Sequence, residues 1–481
     1  MKFIEQQIYD NAHNIRCHLP ALIGTYGVTN YMNLWAGIEH VAAYLRDTYH
    51  LHKGDRIILS ASGDVGFVYT YFAVHLIGCV AVPVDPDIAL GRFEYIKNKI
   101  APKMVIGTLR RLEEPTLRFD YLVELSLSYF TSLDVPSVDD IDMSVPADIL
   151  FTTGTTGNPK GVVLTHQNLS AAARNINAYI GNDETDTELL ALPVSHSFGL
   201  GRLRCVLSRG GAMVLLGSFA NPKKFYAALD EYHVTGFGMV PASWAYLKMM
   251  SRDKIRNYAD QLKYIEIGSS FMSIEDKKML MEWLPSTRIC MHYGLTEASR
   301  SAFMEFHEYA ENLSSIGKAA PNVDIRIIDG EICVKGEHVT KSYWNECPER
   351  IAQDFHGDYF RTGDSGWMDE DGHIYIKGRI KEMINVGGEK VSPMEVEDVL
   401  NAIPQIKESA CCAMPDKVMG EVVEAFIVEK EPITDAEIME IIKPQLENYK
   451  WPKKIQRIAE IPKTASGKIQ RLQLKSNQTE N

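Results

Sequence analysis

FTTGTTGNPKG, residues 151–161, holds four threonines, three glycines, a proline and a single lysine. Glycine loses the most freedom on ordering and proline lacks a backbone donor, so this composition suits neither a helix interior nor a central strand. It reads as a hydroxyl-rich loop with one positive charge. The loop follows the apolar run ADILF (147–151). A buried strand that delivers a polar loop is the pattern on which the fold assignment turns.

The same texture extends outward. RIILSAS (56–62) reads as a strand and turn. KMVIGT (103–108) and ADILFTT (147–153) read as buried strands, and GAMVLLG (211–217) and TGFGMVP (235–241) repeat the theme. Val65–Val84 contains no Asp, Glu, Lys or Arg and is long enough to span a bilayer. It also holds Thr70, His75, Gly78 and Pro83. Gly78 is expected to end a helix and CVAVPV (79–84) to form a buried strand, so a buried helix–strand pair is predicted and no membrane span. Strands separated by helical lengths imply parallel sheets with helices on both faces. Ligands on such sheets bind beyond the C-terminal ends of the strands, where the 151–161 loop lies.

The texture changes after about residue 320. DIRIIDGEICVKG (324–336) alternates like a strand pair around an Asp-Gly turn and predicts a β-rich module. GHIYIKGRIKEMINVGG (372–388) follows. Two helix-like stretches, VSPMEVEDVLNAI (391–403) and DAEIMEIIKPQLENY (435–449), flank a strand at AFIVEK (425–430). The predicted organisation is α/β: a large N-terminal domain (1–378) of doubly wound subdomains plus a β-rich subdomain, a hinge at 379–381, and a small mobile α+β C-terminal domain (382–481).

Composition narrows the function. The chain has 481 residues, more than one core accommodates. A formal net charge of −13 argues against a general nucleic-acid binder. The eight cysteines show no metal-ligand spacing, and Cys411 and Cys412 are adjacent, as expected of reduced cysteines in a cytoplasmic protein. The N-terminal MKFIEQQIYDNAHNIRC lacks the apolar core of a secretory signal.

The loop itself fails the Walker pattern. Counting from Gly154, the second required glycine is Pro159, and Lys160 is followed by Gly161. GLGRLR (199–204) has no third glycine and fails the dinucleotide fingerprint. The elements of a phosphate cradle are present all the same. Gly154 and Gly157 let backbone N–H groups converge on an anion, Thr152, Thr153, Thr155 and Thr156 supply hydroxyls, and Lys160 supplies charge.

FTTGTTGNPKG resembles the signature loop of the adenylate-forming superfamily, which includes acyl- and aryl-CoA synthetases, peptide-synthetase adenylation domains and firefly-type luciferases. Thr153 stands where the family has serine and keeps the hydroxyl. The other family motifs follow in order over roughly residues 20 to 471. HYGLTEAS (292–299) resembles the Tyr-Gly-x-Thr-Glu segment. The resemblance gives Tyr293 to the adenine, Thr296 to phosphate and Glu297 to magnesium, with Thr152 as a second metal contact and His292 and Gly294 beside the nucleotide. YFRTGDSG (359–366) resembles the ribose-binding segment, implying Asp364, joined by Arg379. Read alone, RTGD is an ordinary turn. GRIKEMINVGGEKVSPMEVE (378–397) resembles the hinge and the CoA-facing loop, implying Lys381 as hinge and Gly387, Gly388, Glu389 and Lys390 near CoA. PKTASGKIQR (462–471) resembles the C-terminal catalytic segment, with Lys468 as its lysine.

LPVSHSFGL (192–200) resembles the segment bordering the acyl pocket, implying His196, Ser197 and Phe198, with His196 also close to the chemistry. GFGMVPASW (236–244) and EIGSSFMS (266–273) are expected to form further walls, with Met239 and Gly268 at the acyl pocket and Gly268, Ser269 and Ser270 at the nucleotide. No carboxylate in 192–200 is placed to hold an amine, which favours an acyl or aryl acid over an amino acid. Two positions depart from the family pattern: His292, often glycine, and Ser342 in KSYWN (341–345), usually glycine.

The resemblance implies ATP, Mg2+ and CoA as partners of a small carboxylic acid. The acid would form an acyl-adenylate with loss of pyrophosphate, and the CoA thiol would then displace AMP. Lysine and magnesium would offset the repulsion between a carboxylate and a polyphosphate. The alternatives are a stand-alone enzyme loading an acyl or amino acid onto a separate carrier protein, and a nucleotide-binding relative without activity.

Overall fold

The computed structural model describes residues 2–111, 117–126, 136–152, 159–464 and 467–476. The chain forms two compact units. The first comprises Met1–Leu313, Gly317–Asp324 and Lys335–Phe355; the second comprises Ser314–Ile316, Ile325–Val334 and His356–Asn481.

The first unit is built on two sheets. In the nine-stranded sheet the order is Lys318–Ala319, Ala302–Glu305, Arg288–Tyr293, Tyr264–Ile267, Gly236–Met239, Thr187–Leu190, Ala212–Leu215, Pro20–Gly24, Gly27–Asn30. The six strands from Arg288–Tyr293 to Pro20–Gly24 run parallel. The six-stranded sheet runs Ser342–Tyr343, Gly161–Thr165, Pro146–Phe151, Val80–Val84, Arg56–Ser60, Met104–Ile106, with a parallel core closed by an antiparallel hairpin. Helices Tyr31–Tyr49, Val65–Leu76, His166–Ile180 and Ser197–Arg209 share one hydrophobic core with side chains of both sheets. This is the α/β arrangement predicted from alternating apolar runs and helical lengths.

Local chemistry explains the elements that place the site. Asp64 caps Val65–Leu76 by accepting from Phe67 N at 2.8 Å. All twelve residues of that helix are buried, and among the described residues no helix is long and apolar enough to cross a membrane. Gly78 breaks the run at φ +73°, where a Cβ would meet Lys53 Cγ at 2.8 Å. Two polar residues of the run find partners inside the protein. Thr70 Oγ1 donates to Gly66 O at 2.7 Å, and His75 lies between two carboxylates, Nδ1 2.7 Å from Glu5 and Nε2 3.0 Å from Asp148. Asp148 also accepts from Tyr71 (2.9 Å) and Arg204 (2.8 Å).

Pro146–Phe151 and Gly161–Thr165 pair in register Phe151↔Gly161, so the signature segment connects the two arms of a hairpin. Thr165 then caps His166–Ile180 in a reciprocal box with Asn168.

The second unit carries a β-rich sheet of Asp324–Ile328, Glu331–Lys335, Tyr359–Met368 and Phe355–His356, with Ile374–Arg379 paired to Tyr359–Met368. Its other sheet runs Glu389–Val391, Ile384–Val386, Gly420–Glu429, Ile406–Asp416, with Lys454–Arg457 added in parallel. RTGD is part of a strand and not a turn, because Tyr359–Met368 runs through it with Gly363 at φ +74°. The helix expected over 435–449 ends at Ile442, just before Pro444, which cannot supply the next backbone donor.

Candidate active site

In the first unit the site is assembled at the C-terminal ends of the parallel strands. Thr152 N donates to Lys160 O at 3.1 Å, closing the neck of the signature hairpin. Thr153, Gly154, Thr155, Thr156 and Gly157 lie outside the described residues. Lys160 Nζ stands 4.7 Å from the centre of the Tyr343 ring and 3.9 Å from Asp354 Oδ2. The Tyr343 hydroxyl donates to Glu297 Oε1 at 3.1 Å. Burial and the Glu297 carboxylate together push that phenol well above its usual range, so it stays a donor. The signature lysine and the glutamate of HYGLTEAS, far apart in sequence, thus meet on one tyrosine. The Glu297 backbone is fixed by Thr340 N at 2.8 Å.

Tyr293 ends the strand Arg288–Tyr293; Thr296 and Glu297 are half-buried in the turn that follows, where Leu295 N donates to Ala298 O at 3.1 Å. Gly294 packs so tightly that a Cβ would come within 2.5 Å of Arg300 N. Gly268, Ser269 and Ser270 follow the strand Tyr264–Ile267, with Ser269 held at φ +77°, a conformation costly outside glycine and characteristic of functional loops. His196 is exposed just before the helix Ser197–Arg209, Ser197 is half-buried, and Phe198 and Met239 are buried.

His292 is placed beside Gly268 and Phe198, with ring centroids 4.6 Å apart to Phe198, so HYGLTEAS meets both EIGSSFMS and LPVSHSFGL here. Its Nδ1 lies 2.6 Å from Glu266 Oε1, off the straight donor line. Glu266, fully buried, also accepts from Arg202 and Arg300, each at 3.0 Å. Burial raises the Glu266 pKa, but the Arg300 and Arg202 guanidiniums outweigh it and hold the carboxyl well below its usual range. Burial depresses the His292 pKa despite the nearby carboxylate.

In the second unit, Asp364 and Arg379 are cross-strand partners, with Arg379 Nε 2.9 Å from Asp364 Oδ1. Asp364 N donates to Thr362 Oγ1 at 3.1 Å and Arg379 Nη1 to Thr362 O at 3.0 Å. The Asp364 side chain is 7% exposed, so its acceptor capacity is aimed by its surroundings. Lys381 is exposed in the short 3-10 turn Ile380–Glu382. Gly387 and Gly388 form the tip of a hairpin at φ +61° and +97°, with Glu389 and Lys390 exposed beside them. Two consecutive positive φ angles are what a tight two-residue hairpin requires. Lys468 is exposed; its backbone N donates to Thr464 Oγ1 at 3.1 Å and its carbonyl accepts from Thr464 N at 2.8 Å.

Sequence reasoning missed several of these residues. Tyr343 sits beside the flagged Ser342, and an aromatic flanking that departure was the available signal. Arg471 was not singled out either. It reaches both oxygens of Glu397 (2.6 and 2.7 Å) and Glu382 (2.8 Å), tying the Lys468 segment to the residue after Lys381. Glu266 and Arg300 carried no signal, because charged residues are read as surface unless their partners are known.

Residues 10–344 match the family described as AMP-binding enzyme, and residues 395–468 match AMP-binding enzyme C-terminal domain. A long-chain-fatty-acid–CoA ligase of Bacillus subtilis (strain 168) is 33% identical over 496 residues, covering 90% of this chain and 87% of that protein. An oxalate–CoA ligase of Arabidopsis thaliana is 30% identical over 469 residues, covering 90% of each. Among solved structures, O-succinylbenzoate coenzyme A synthetase from Bacillus subtilis, in complex with ATP and magnesium ion, superposes with a TM-score of 0.86 at 26% identity, covering 98% of this chain and 99% of that one.

Proposed function

The chain belongs to the AMP-binding enzyme family, and from that premise we propose that it is an AMP-forming acid–thiol ligase, an acyl-CoA synthetase. A carboxylate oxygen of the acid attacks the α-phosphate of ATP, pyrophosphate leaves, and an acyl-adenylate forms. The thiol of CoA then attacks the acyl carbonyl and expels AMP. The observation that carries the reading is the meeting of Lys160 and Glu297 on Tyr343, which sets a cation and a carboxylate together at the neck of the signature hairpin.

The donor set fits a magnesium nucleotide. Magnesium favours one or two carboxylates completed by phosphate oxygens. Glu297 is half-buried with one oxygen oriented by Tyr343, and the half-buried Thr152 is tied to Lys160 through the backbone. When bound, the ion neutralises phosphate charge. Lys160 adds a cation, and Thr296 with the signature threonines adds hydroxyl donors. Tyr293, Gly294, His292 and Gly268–Ser270 flank the base. Asp364, an acceptor of two hydroxyls, and Arg379 hold the ribose.

Lys468 serves the first half-reaction. Lys381 is the hinge between residues 1–378 and 382–481, and Gly387, Gly388, Glu389 and Lys390 admit the pantetheine arm for the second. The acid lies against Ser197, Phe198, Met239 and Gly268, with His196 nearby. The reaction is placed in the cytoplasm.

The test is AMP release across aliphatic, aromatic and amino acids with ATP and magnesium, with and without CoA. The expected result is AMP release that depends on CoA for one class of acid. Pyrophosphate exchange that CoA leaves unchanged would assign the second step to a carrier-protein thiol instead.

A further inference from the structure

Thr187–Leu190, Gly236–Met239, Tyr264–Ile267 and Arg288–Tyr293 are neighbouring parallel strands that end on one side of their sheet, where open α/β sheets take ligands. Around Thr187–Leu190 and Tyr264–Ile267 the protein buries four charges. Glu188 is gripped by Arg202 through two hydrogen bonds, one of 2.7 Å, and accepts from the Tyr264 hydroxyl at 2.6 Å. Arg202 also reaches Glu266, and Arg300 binds Glu266 from the other side. Arg300 spends further N–H groups on the carbonyls of Ser197 (2.9 Å) and Phe198 (3.0 Å). Two carboxylates and two guanidiniums cancel, and the cluster is closed on itself.

His292 is the member of this group that is not sealed. Its side chain keeps 8% accessibility, against 0% for Glu266 and 2% for Arg300. A lone pair facing a carboxylate oxygen at 2.6 Å would be repelled, so Nδ1 carries the proton and Nε2 is left as an acceptor. The ring lies on the backbone of Gly268. A Cβ there would stand 2.1 Å from Cε1 and 2.2 Å from Nε2, so the imidazole fills the space that the glycine opens.

We propose that His292 ends the acyl pocket and selects a short carboxylic acid bearing a hydroxyl at its far end, the hydroxyl donating to Nε2. The inference rests on the ligase reading above. The chemistry of the wall separates the candidates. An ammonium group would need a spare carboxylate, and Glu266 is already matched by Arg202 and Arg300. A second carboxylate would need a proton on a ring whose burial opposes it. A long alkyl chain would collide with the imidazole or bury Nε2 without a donor, which is costly. A hydroxyl satisfies the acceptor as it stands.

The experiment compares kcat/KM for AMP release with matched pairs of short acids, with and without a terminal or para hydroxyl, together with dicarboxylates and long-chain fatty acids. The wild type is expected to favour the hydroxylated member by about tenfold or more. His292→Phe keeps the ring and removes the nitrogen: the hydroxyl preference should collapse while the preference for short acids stays. If that variant does not fold, His292→Ala reads the same ratio and should also admit longer acids. A ratio unchanged by these substitutions, or a wild type that prefers dicarboxylates or long chains, overturns the inference while the ligase reading stands. No AMP release with any acid overturns both.

Discussion

Two of the buried histidines that face carboxylates in the first unit have their pKa values shifted in opposite directions. His75 lies between Glu5 and Asp148. Burial alone would lower its pKa, but the hydrogen bonds and charges of Asp148 and Glu5 outweigh it and raise the group to about 9. His292 also faces a carboxylate at 2.6 Å, yet its pKa is lowered. The difference lies in what else the carboxylates hold. Asp148 is shared with Arg204, and Glu5 also faces the buried His166 at 3.5 Å, so His75 lies between two carboxylates that hold one guanidinium between them. Glu266 has two guanidiniums already, and a third cation would be in excess. A buried histidine's charge therefore follows from the local count of ions and not from the distance to one carboxylate. The sealed His75 cluster lies within the core; His292 keeps 8% of its side chain accessible beside Gly268.

The largest effect should come from breaking the sealed cluster. Asp148→Ala leaves Arg204 without a carboxylate and His75 with Glu5 alone, and should cost about 3–5 kcal/mol in urea unfolding, with adenylation per folded molecule unchanged. An activity loss larger than the folded fraction explains would erase the distinction between the clusters. The pH response comes next. Because the folded pKa of His75 lies above its unfolded value, its contribution is complete below about pH 6.5 and fades as pH rises through about 9. That loss should be on the order of 3 kcal/mol and absent in His75→Gln. His292 has the opposite sign: its contribution is present above about pH 6.5 and falls as the solution is acidified.

Gly268→Ala probes the open cluster. The new methyl would meet the His292 ring at 2.1 Å, and the overpacking should cost roughly 1–3 kcal/mol, read as a raised KM for the acid. An unaltered KM would place the ring away from the substrate. The smallest change is expected for Tyr343→Phe. Losing one hydrogen bond to Glu297 should cost about 1 kcal/mol, or roughly fivefold in adenylation rate, while the contact of Lys160 with the ring persists.

Much of this was legible in the chain itself. Apolar, β-branched runs marked the strands around Ile57, Val82 and Ile149, Gly78 marked a helix end, and the motif order carried Lys160, Glu297, Asp364 and Lys468. What escaped were side chains whose meaning depends on partners far along the chain. Glu266 meets Arg202 64 residues away, and His75 meets Asp148 73 residues away. No local period records such pairs. Asp148 sits inside the apolar run ADILF, and its charge is met by His75, Tyr71 and Arg204. RTGD misled for a related reason: Gly363 signals a turn locally, but pairing with Ile374–Arg379 holds it in a strand.

The proposed division of labour between the two half-reactions decides the roles of Lys468 and Lys381. It is tested by measuring pyrophosphate exchange and, separately, thioester formation from supplied acyl-adenylate in Lys468→Ala. Exchange should fall on the order of a hundred- to a thousandfold, while thioester formation stays near that of the wild type. An equal loss in both would contradict the role given to Lys468 and, with it, the proposed alternation about Lys381.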